Sequence, residues 1–222
     1  MISLDKELLE KVKSLSTAEL SDALDFYKLT GSALGIKHIA GQAHFFGFAY
    51  TLRFMPIDID NPGTVGDFID DVPSGSVIVL DNNARLDCTV WGGILSQVAK
   101  SRNIAATVIN GVCRDTIEAN EVNYPLYAMG RFMRTGKDRV QVEEVGGTAA
   151  LGDVRVKKGD FVVGDQDGVV VIPAQHLTKV IEKAYLTSQI EKQIVNAALS
   201  GMPLVEARKQ YGYHTLQRSP EK

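Results

Sequence analysis

A cation and a carboxylate, Arg114 and Asp115, stand side by side at the end of the segment "NGVCRD" (110–115). The apolar run before it is typical of a buried strand, Asn110-Gly111 predicts a turn off that strand, and a short helix is predicted to follow. The guanidinium of Arg114 is a permanently charged planar fork that suits a carboxylate ligand. Asp115 can be a salt-bridge partner, an acid of the first helical turn, or the holder of a hard cation such as Mg²⁺, which proteins often bind through one carboxylate and several waters.

A second candidate element is the pair Gly92-Gly93, at the start of a helix predicted over 92–102 from the spacing of its apolar residues. Glycine lets a ligand approach the backbone closely, and the first N–H groups of a helix lack intrahelical acceptors and lie at its positive end. Such amides bind anions without any side chain. We therefore expect the start of this helix and Arg114 to form a pocket for a small carboxylate.

Two predicted strand–helix units position these groups. The apolar runs 76–81 and 105–109 predict strands buried on both faces, and the helices 92–102 and 115–121 follow them. Short connections between strand and helix predict parallel strands joined by right-handed crossovers. Ligands of parallel sheets bind beyond the carboxyl ends of the strands, so both candidate groups are expected at the same edge of one sheet.

Periodicity, β-branched runs and turn residues predict the remaining elements. They are helices at 4–14, 17–27 (with Ser16 and Glu19 in a capping box), 64–71 and 203–210, a strand pair or one long strand at 41–54, strands at 139–145 and 154–156, a hairpin over 160–173 that turns at Asp167-Gly168, and one amphipathic helix over 174–201 that ends at Gly201. One α/β domain over 1–222 is expected, with a core over about 15–173 and a helical arm over 174–222. The long helix can wrap its own domain or contact another subunit.

Composition restricts the class of protein. A net charge of −3 over 222 residues, with 45% hydrophobic and 23% charged residues, argues against nucleic acid or an anionic membrane as the main partner. Cys88 and Cys113 are too few for a disulfide framework and match no zinc spacing, which predicts free thiols, and Arg114 is placed to lower the pKa of Cys113. Because no signal-peptide pattern and no apolar window of about 18 residues is found, we expect a cytoplasmic protein.

The segment "WGGILSQVAKSRNIAATVINGVCRD" (91–115) resembles the signature region of the 4-hydroxy-4-methyl-2-oxoglutarate aldolase family, which also contains the regulator of ribonuclease activity A (RraA) proteins. The likeness extends through "VKKGDFVVGDQDGVVVIP" and the helix behind it, over roughly residues 15–210. This resemblance implies a swivelling β/β/α domain with N-terminal helices and a long C-terminal helix. It also implies a homotrimer or a dimer of trimers, with active sites between subunits.

The resemblance assigns roles to individual residues. Arg114 matches the arginine that holds the carboxylate of pyruvate, and Asp115 matches the acid that holds Mg²⁺ or Mn²⁺, largely through waters. Glu191, on the long helix, matches a catalytic glutamate that reaches the water shell of the metal from the neighbouring subunit. The backbone amides that assist Arg114 belong to Gly92, Gly93, Ile94 and Leu95.

One position departs from the family signature, which is an Asp, twenty intervening residues and Arg-Asp. The residue twenty-one positions before Arg114 is Gly93, so a carboxylate that accepts hydrogen bonds from the metal's waters is missing. Losing such a neighbour typically costs about 10–100-fold in metal affinity or activity. Glu191 and Asp87 are the candidates to replace it.

The resemblance implies a class II, metal-dependent pyruvate aldolase. Such an enzyme cleaves a 4-hydroxy-2-oxo acid into pyruvate and a second carbonyl compound, and decarboxylates oxaloacetate as a side activity because both reactions give the same enolate. Two alternatives remain open. One is a regulatory or binding protein on the same scaffold that works without catalysis, and the other is a related metal–enolate enzyme that acts on a different oxo acid.

Overall fold

The computed structural model describes residues 5–216 and has an α/β fold with N-terminal helices and a long C-terminal helix, as predicted. The chain forms two compact units, of which one comprises Met1–Thr30 with Gln175–Lys222 and the other Gly31–Ala174. The first unit is helical, and the second contains the β-sheet. The expectation of one domain over the whole chain stays a prediction.

Six α-helices are present among the described residues. They are α1 (Lys6–Lys13), α2 (Thr17–Phe26), α3 (Gly93–Ser101), α4 (Thr116–Glu121), α5 (Leu177–Leu199) and α6 (Leu204–Gln210). Short 3-10 helices cover Asp67–Asp71, Ala174–His176 and Tyr213–Thr215. The helix predicted at 64–71 is therefore a shorter 3-10 helix. The predicted helix start at residue 4 and the arm residues 217–222 lie outside the described residues.

Two boundaries in the helical unit follow from local chemistry. α2 begins with the predicted capping box, in which Ser16 Oγ accepts the Glu19 N–H and the Glu19 carboxylate accepts the Ser16 N–H over 2.7 Å. α5 ends in a Schellman motif, because Gly201 has a φ of +100° and the Met202 N–H donates to the Ala197 carbonyl over 3.1 Å. The long helix is thus one continuous element of 23 residues.

Ten strands lie in the second unit. They are β1 (Lys37–Ala40), β2 (Phe45–Pro56), β3 (Val77–Thr89), β4 (Ala106–Cys113), β5 (Leu126–Arg131), β6 (Val140–Val145), β7 (Ala149–Leu151), β8 (Val154–Val156), β9 (Phe161–Gly164) and β10 (Val169–Ile172). In the sheet the order is β1-β5-β4-β3-β2-β9-β10, and β6 also pairs with β2. Strands β3 and β4 are parallel, as predicted, and β2 and β5 run parallel to them, whereas β1, β6, β9 and β10 are antiparallel to their neighbours.

The centre of the sheet is buried on both faces. Side chains alternate along β3, so that Val77 and Val79 join one apolar cluster while Ile78 and Leu80 join another. This confirms the strand predicted from the continuous apolar run. The predicted hairpin is also present, because β9 and β10 pair antiparallel and the Asp165 N–H donates to the Gly168 carbonyl over 3.0 Å.

The predicted turn at Asn110-Gly111 is wrong. β4 continues to Cys113, with Asn110 opposite Asp81 and Gly111 opposite Arg85. Asn110 stays in the buried strand because its side-chain amide donates to Asp81 Oδ1 over 2.9 Å. A Cβ at Gly111 would lie only 3.2 Å from the Arg85 carbonyl oxygen, so glycine serves close strand packing there rather than a turn.

Candidate functional site

The starts of α3 and α4 lie beside each other in the sheet-containing unit. α3 follows β3 and begins at Gly93, whereas α4 follows β4 and begins directly after Asp115. A cavity of about 430 Å³ opens at this point. Its lining includes all the predicted substrate-binding residues together with the predicted metal residue, namely Gly92, Gly93, Ile94, Leu95, Arg114 and Asp115.

Asp115 has an unusual backbone conformation. Its φ of 56° and ψ of 45° are left-handed, a region in which Asp is tolerated better than most side chains. The carboxylate does not cap its own helix. Instead Asp115 Oδ2 accepts the backbone N–H of Gly93 over 3.0 Å and lies 3.4 Å from Arg114 Nε. The left-handed residue therefore directs the carboxylate across to the start of α3.

Arg114 is held at its backbone and is partly exposed at its guanidinium. Its N–H donates to the Trp91 carbonyl over 3.2 Å, and Nη1 lies 3.5 Å from the Met133 carbonyl. The side chain is 39% exposed, and that of Asp115 is 38% exposed, so both charged groups remain accessible from the cavity. The guanidinium retains donors for an anionic ligand.

Both glycines have the Asp115 side chain close to them, and the contact is tighter at Gly92 than at Gly93. A Cβ at Gly92 would lie 2.6 Å from Asp115 Oδ2, which is closer than two such atoms can approach. A Cβ at Gly93 would lie 3.3 Å from the Cβ of Asp115 and 3.3 Å from both Cβ and Cγ of Glu118. The Gly93 N–H is already bonded to Asp115. In the first turn of α3, the N–H groups of Ile94 and Leu95 therefore remain free to bind a ligand.

Glu118 is a site candidate that the sequence interpretation missed. It lies three residues after Asp115 on α4, so the two side chains project from the same side of the helix start. Its side chain lies next to Gly93, where the family signature has an acid, although Glu118 itself does not line the cavity. The sequence feature that could have identified Glu118 is its i, i+3 spacing from Asp115.

The donor set is compatible with a hard divalent cation. In the described part of the chain, Asp115 Oδ1 accepts no hydrogen bond, so one carboxylate oxygen remains for a ligand. No cluster of three or more His, Cys, Asp or Glu side chains suited to a metal occurs among residues 5–216. One carboxylate, with Glu118 nearby, is too few protein ligands to enclose a metal ion completely. It suits a cation that keeps most of its waters, as Mg²⁺ does.

Glu191 belongs to the helical unit, where it lies on α5. Burial, and after it the negative charges of Asp22 and Glu19, raises the pKa of the Glu191 carboxyl above its ordinary value. Such a carboxyl is better suited to exchanging a proton near neutral pH than an ordinary glutamate. Its assignment to a site on another subunit stays a prediction.

The structure argues against two other assignments. Asp87 forms two hydrogen bonds with Arg85, of 2.9 and 2.8 Å, so its carboxylate is engaged there and does not replace the missing acid. Burial raises the pKa of the Cys113 thiol to about 12, which outweighs any lowering by a nearby arginine. Cys113 is thus an inert core residue rather than a reactive thiol, and Cys88 is likewise buried and free.

Comparison with known proteins gives a consistent set of similarities. The family model described as "RraA-like: Aldolase/RraA" matches residues 17–171. DlpA of Legionella pneumophila is 37% identical over 210 residues, which cover 93% of this chain but only 34% of that protein. The chain therefore spans about a third of the length of DlpA.

Two further relatives match over most of their length. The 4-hydroxy-4-methyl-2-oxoglutarate aldolase of Thermus thermophilus is 30% identical over 162 residues, which cover 70% of this chain and 93% of that enzyme. The crystal structure of an uncharacterized protein from Pseudomonas syringae pv. tomato superposes with a TM-score of 0.85 at 37% identity, over 94% of this chain and 100% of that one. None of the helices formed by residues 5–216 has the length and apolar character needed to cross a membrane.

Proposed function

The chain belongs to the RraA-like family, and on that premise we propose that it is a divalent-metal-dependent lyase that cleaves a 4-hydroxy-2-oxo acid into pyruvate and a second carbonyl compound. One observation carries the proposal. The Arg114 guanidinium, the first amides of α3 and the Asp115 carboxylate face the same cavity, and Asp115 is bonded to the backbone of Gly93. Arg114 can bind an anionic substrate, and Asp115 can bind a cation.

Arg114 and the start of α3 bind the substrate carboxylate. The guanidinium donates two parallel hydrogen bonds to a carboxylate, and the amides of Ile94 and Leu95 donate to it at the positive end of the helix. Binding at two places fixes the orientation of the 2-oxo acid, so that its keto oxygen lies towards Asp115. This orientation is what a retro-aldol reaction requires, because the keto group must accept the electrons of the breaking bond.

Asp115 would hold Mg²⁺ or Mn²⁺ with Glu118 next to it, and a bound cation supplies charge stabilisation at the keto oxygen as the enolate forms. In the cleavage, the 4-hydroxyl proton is removed, the C3–C4 bond breaks, and its electron pair moves into the former keto group. Protonation at C3 then gives pyruvate, while C4 leaves as the second carbonyl compound. Glu191, with its raised pKa, is the proposed group that takes up the hydroxyl proton or orders the water that does so.

Pyruvate release tests the proposal. Purified protein is assayed with lactate dehydrogenase and NADH in the presence of Mg²⁺ or Mn²⁺, on a panel of 4-hydroxy-2-oxo acids and on oxaloacetate, whose decarboxylation passes through the same enolate. We expect metal-dependent NADH oxidation that EDTA abolishes. If no member of the panel yields pyruvate with either metal, the proposal is wrong.

The regulatory alternative predicts a different outcome. A protein that acts only by covering a partner does not need a metal at Asp115, and it would show no metal-dependent turnover. Binding to a ribonuclease in a pull-down, together with metal-free purified protein, would favour that alternative.

We also propose that the protein is a homo-oligomer, trimer or hexamer, in which Glu191 serves a neighbouring subunit. Support comes from apolar side chains that stay exposed along α5 and α6. They are Leu186 (60% exposed), Val195 (53%), Leu199 (83%), Leu204 (47%) and Val205 (78%). Light scattering coupled to size-exclusion chromatography measures the assembly, and a monomer at micromolar concentration would contradict the proposal.

A further inference from the structure

Ser96 is a fully buried polar residue on α3, one turn after the start of the helix. Its hydroxyl accepts the indole N–H of Trp91 over 2.9 Å and donates to the Gly92 carbonyl over 3.2 Å. The direction of both bonds is fixed, because an indole nitrogen can only donate and a carbonyl oxygen can only accept. The hydroxyl proton of Ser96 is therefore directed at the Gly92 carbonyl.

The peptide group between Gly92 and Gly93 is held at both of its ends. Its carbonyl oxygen accepts two donors of Ser96, which are the hydroxyl and, over 3.1 Å, the backbone N–H. Its N–H donates to Asp115 Oδ2 over 3.0 Å. The carbonyl and the N–H of a planar trans peptide point in opposite directions. Because Ser96 fixes the carbonyl, it also fixes the direction in which the Gly93 N–H meets Asp115.

The three hydrogen bonds form a series that runs in one direction. The Trp91 indole donates to Ser96, and Ser96 donates to the Gly92 carbonyl. The N–H of the same peptide group then donates to the Asp115 carboxylate. Hydrogen bonds arranged in this way polarise and strengthen one another. All of these residues belong to one chain and to the sheet-containing unit, so the series is complete without a neighbouring subunit.

Trp91 is held in place by contacts that do not involve Ser96. Its buried ring stacks on Tyr124, with ring centroids 6.0 Å apart and 14° between the planes. Its backbone N–H donates to Thr89 Oγ1 over 3.1 Å, and the Thr89 hydroxyl donates to the Trp91 carbonyl over 2.8 Å. The same carbonyl accepts the backbone N–H of Arg114. Trp91 is thus a fixed point from which both Arg114 and the series towards Asp115 begin.

A buried indole needs a hydrogen-bond partner, but that need alone does not explain the placement of Ser96. A serine hydroxyl that bonds the carbonyl four residues earlier slightly destabilises a helix, and here that carbonyl belongs to the peptide group whose N–H contacts Asp115. We propose, on the basis of the metal-dependent function proposed above, that Trp91 and Ser96 are positioning residues. They orient the Gly92–Gly93 peptide, which holds the Asp115 carboxylate so that Oδ1 is left for the divalent cation.

Ser96→Ala tests the inference, because it removes the hydroxyl and keeps the backbone hydrogen bond to Gly92. We expect the dissociation constant of Mn²⁺, measured without substrate by electron paramagnetic resonance of the free ion, to rise by about tenfold, and kcat for pyruvate release to fall by a similar factor. Ser101→Ala is the matched control, because Ser101 Oγ also donates to a backbone carbonyl of α3, that of Val98, over 2.8 Å. The control should change neither value.

Two further variants separate positioning from stability. Tyr124→Phe removes the hydroxyl that is bonded to Thr107 but keeps the ring that stacks on Trp91. Like Ser96→Ala it loses a buried hydrogen bond, so its melting temperature should fall while its Mn²⁺ affinity stays at the wild-type value. Trp91→Phe should weaken Mn²⁺ binding in the wild type but not further in the Ser96→Ala background, since both changes interrupt the same series. If Trp91→Phe does not fold, the Ser96 and Tyr124 variants decide the question.

A spectroscopic signal reports the first bond of the series directly. Trp91 is the one tryptophan of the chain, so the ultraviolet resonance Raman band of its indole N–H needs no assignment. We expect the band of a hydrogen-bonded indole in the wild type and in Ser101→Ala, and that of a free indole in Ser96→Ala. A free indole in the wild type would overturn the inference.

The remaining outcomes are distinguishable. If Ser96→Ala loses the indole hydrogen bond but binds Mn²⁺ as tightly as Ser101→Ala, the positioning inference is overturned and the lyase proposal stands. If Tyr124→Phe weakens Mn²⁺ binding as much as Ser96→Ala does, the effect follows stability and the inference is also overturned. If the wild-type protein neither binds Mn²⁺ nor releases pyruvate with either metal, the lyase proposal fails and the inference fails with it.

Discussion

The backbone N–H of Gly93 donates to Asp115 Oδ2 over 3.0 Å, so the residue that departs from the family signature directly contacts the proposed metal acid. This bond occupies one carboxylate oxygen and leaves the other, Oδ1, for a ligand. A side chain at position 93 would have to share space with Asp115 and Glu118, both 3.3 Å from the place of its Cβ. A side chain at position 93 would therefore require Asp115 or Glu118 to shift by a few tenths of an ångström.

Replacing Asp115 by Asn should abolish metal-dependent turnover without unfolding the protein. The amide oxygen of Asn can still accept the Gly93 N–H, but the charge that would hold a cation is lost. We expect pyruvate release and Mn²⁺ affinity to fall by at least about 100-fold, the upper range for lost metal-site contacts, while the melting temperature changes by less than about 4 °C. Asp87→Asn, an acid outside the cavity, is the control, and an Asp115→Asn protein with wild-type rate contradicts the assignment.

Replacing Arg114 by Lys should weaken substrate binding although the charge is kept. Lysine cannot form two parallel hydrogen bonds with a carboxylate, and hydrogen bonds to charged groups contribute about 1.5–3 kcal/mol. We expect kcat/KM to fall by about 10–100-fold, with a matching rise in the inhibition constant of oxalate, which imitates the enolate. Arg85→Lys tests the same exchange at a pair outside the cavity and should leave both constants unchanged. If Arg114→Lys and Arg85→Lys had equal effects, the assignment of Arg114 to the substrate site would be wrong.

Gly93→Asp and Glu118→Ala should compensate each other. Gly93→Asp alone should make Asp115 or Glu118 shift by a few tenths of an ångström, because its Cβ would be 3.3 Å from atoms of each, so we expect stability and activity both to decrease. Glu118→Ala alone should cost about 10–100-fold in activity through the loss of an acid near the metal. Since the double variant has both an acid and room for it, we expect a coupling free energy of at least about 1 kcal/mol in a double-mutant cycle. Additive effects would show that Glu118 and Gly93 act independently.

Glu191→Gln should stabilise the protein at neutral pH. The folded-state pKa of Glu191 is raised, so its ionisation above that pKa opposes folding, and the penalty disappears as the pH falls below the ordinary glutamate value. The melting temperature of the variant should therefore exceed that of the wild type at pH 7, and the two should converge near pH 4. Glu206→Gln, an exposed acid on α6, should show no such dependence. A large loss of pyruvate release in the more stable variant would support a catalytic role for Glu191.

The two thiols should be unreactive in the folded protein. Burial raises the pKa of Cys113 to about 12 and also raises that of Cys88, so little thiolate is present at pH 8. Titration with a disulfide reagent should modify neither residue in the native state and both after denaturation. As the pH rises, the thiols ionise in the unfolded state before they do so in the folded state. The two cysteines therefore lower the free energy of unfolding above about pH 9. Rapid modification of the folded protein at pH 8 would contradict the assigned burial.

The sequence determined the elements whose signals are local. A capping box depends on residues three apart, and Ser16 and Glu19 form it as predicted. A continuous apolar run identifies a strand buried on both faces, and β3 is such a strand. The pairing of Arg114 with Asp115 was visible for the same reason, since adjacent residues need no tertiary contact to be brought together.

Tertiary structure decided what depends on distant neighbours. Asn110-Gly111 has the composition of a turn, but Asp81 and Arg85 on the adjacent strand hold it inside β4, and no local pattern contains that information. The direction of the Asp115 carboxylate, the proximity of Glu118 to Gly93 and the engagement of Asp87 by Arg85 likewise depend on packing. Sequence alone therefore specified which chemical groups are present, whereas the fold decided which of them share a cavity, because contacts between strands and helices far apart in the chain fix side-chain positions.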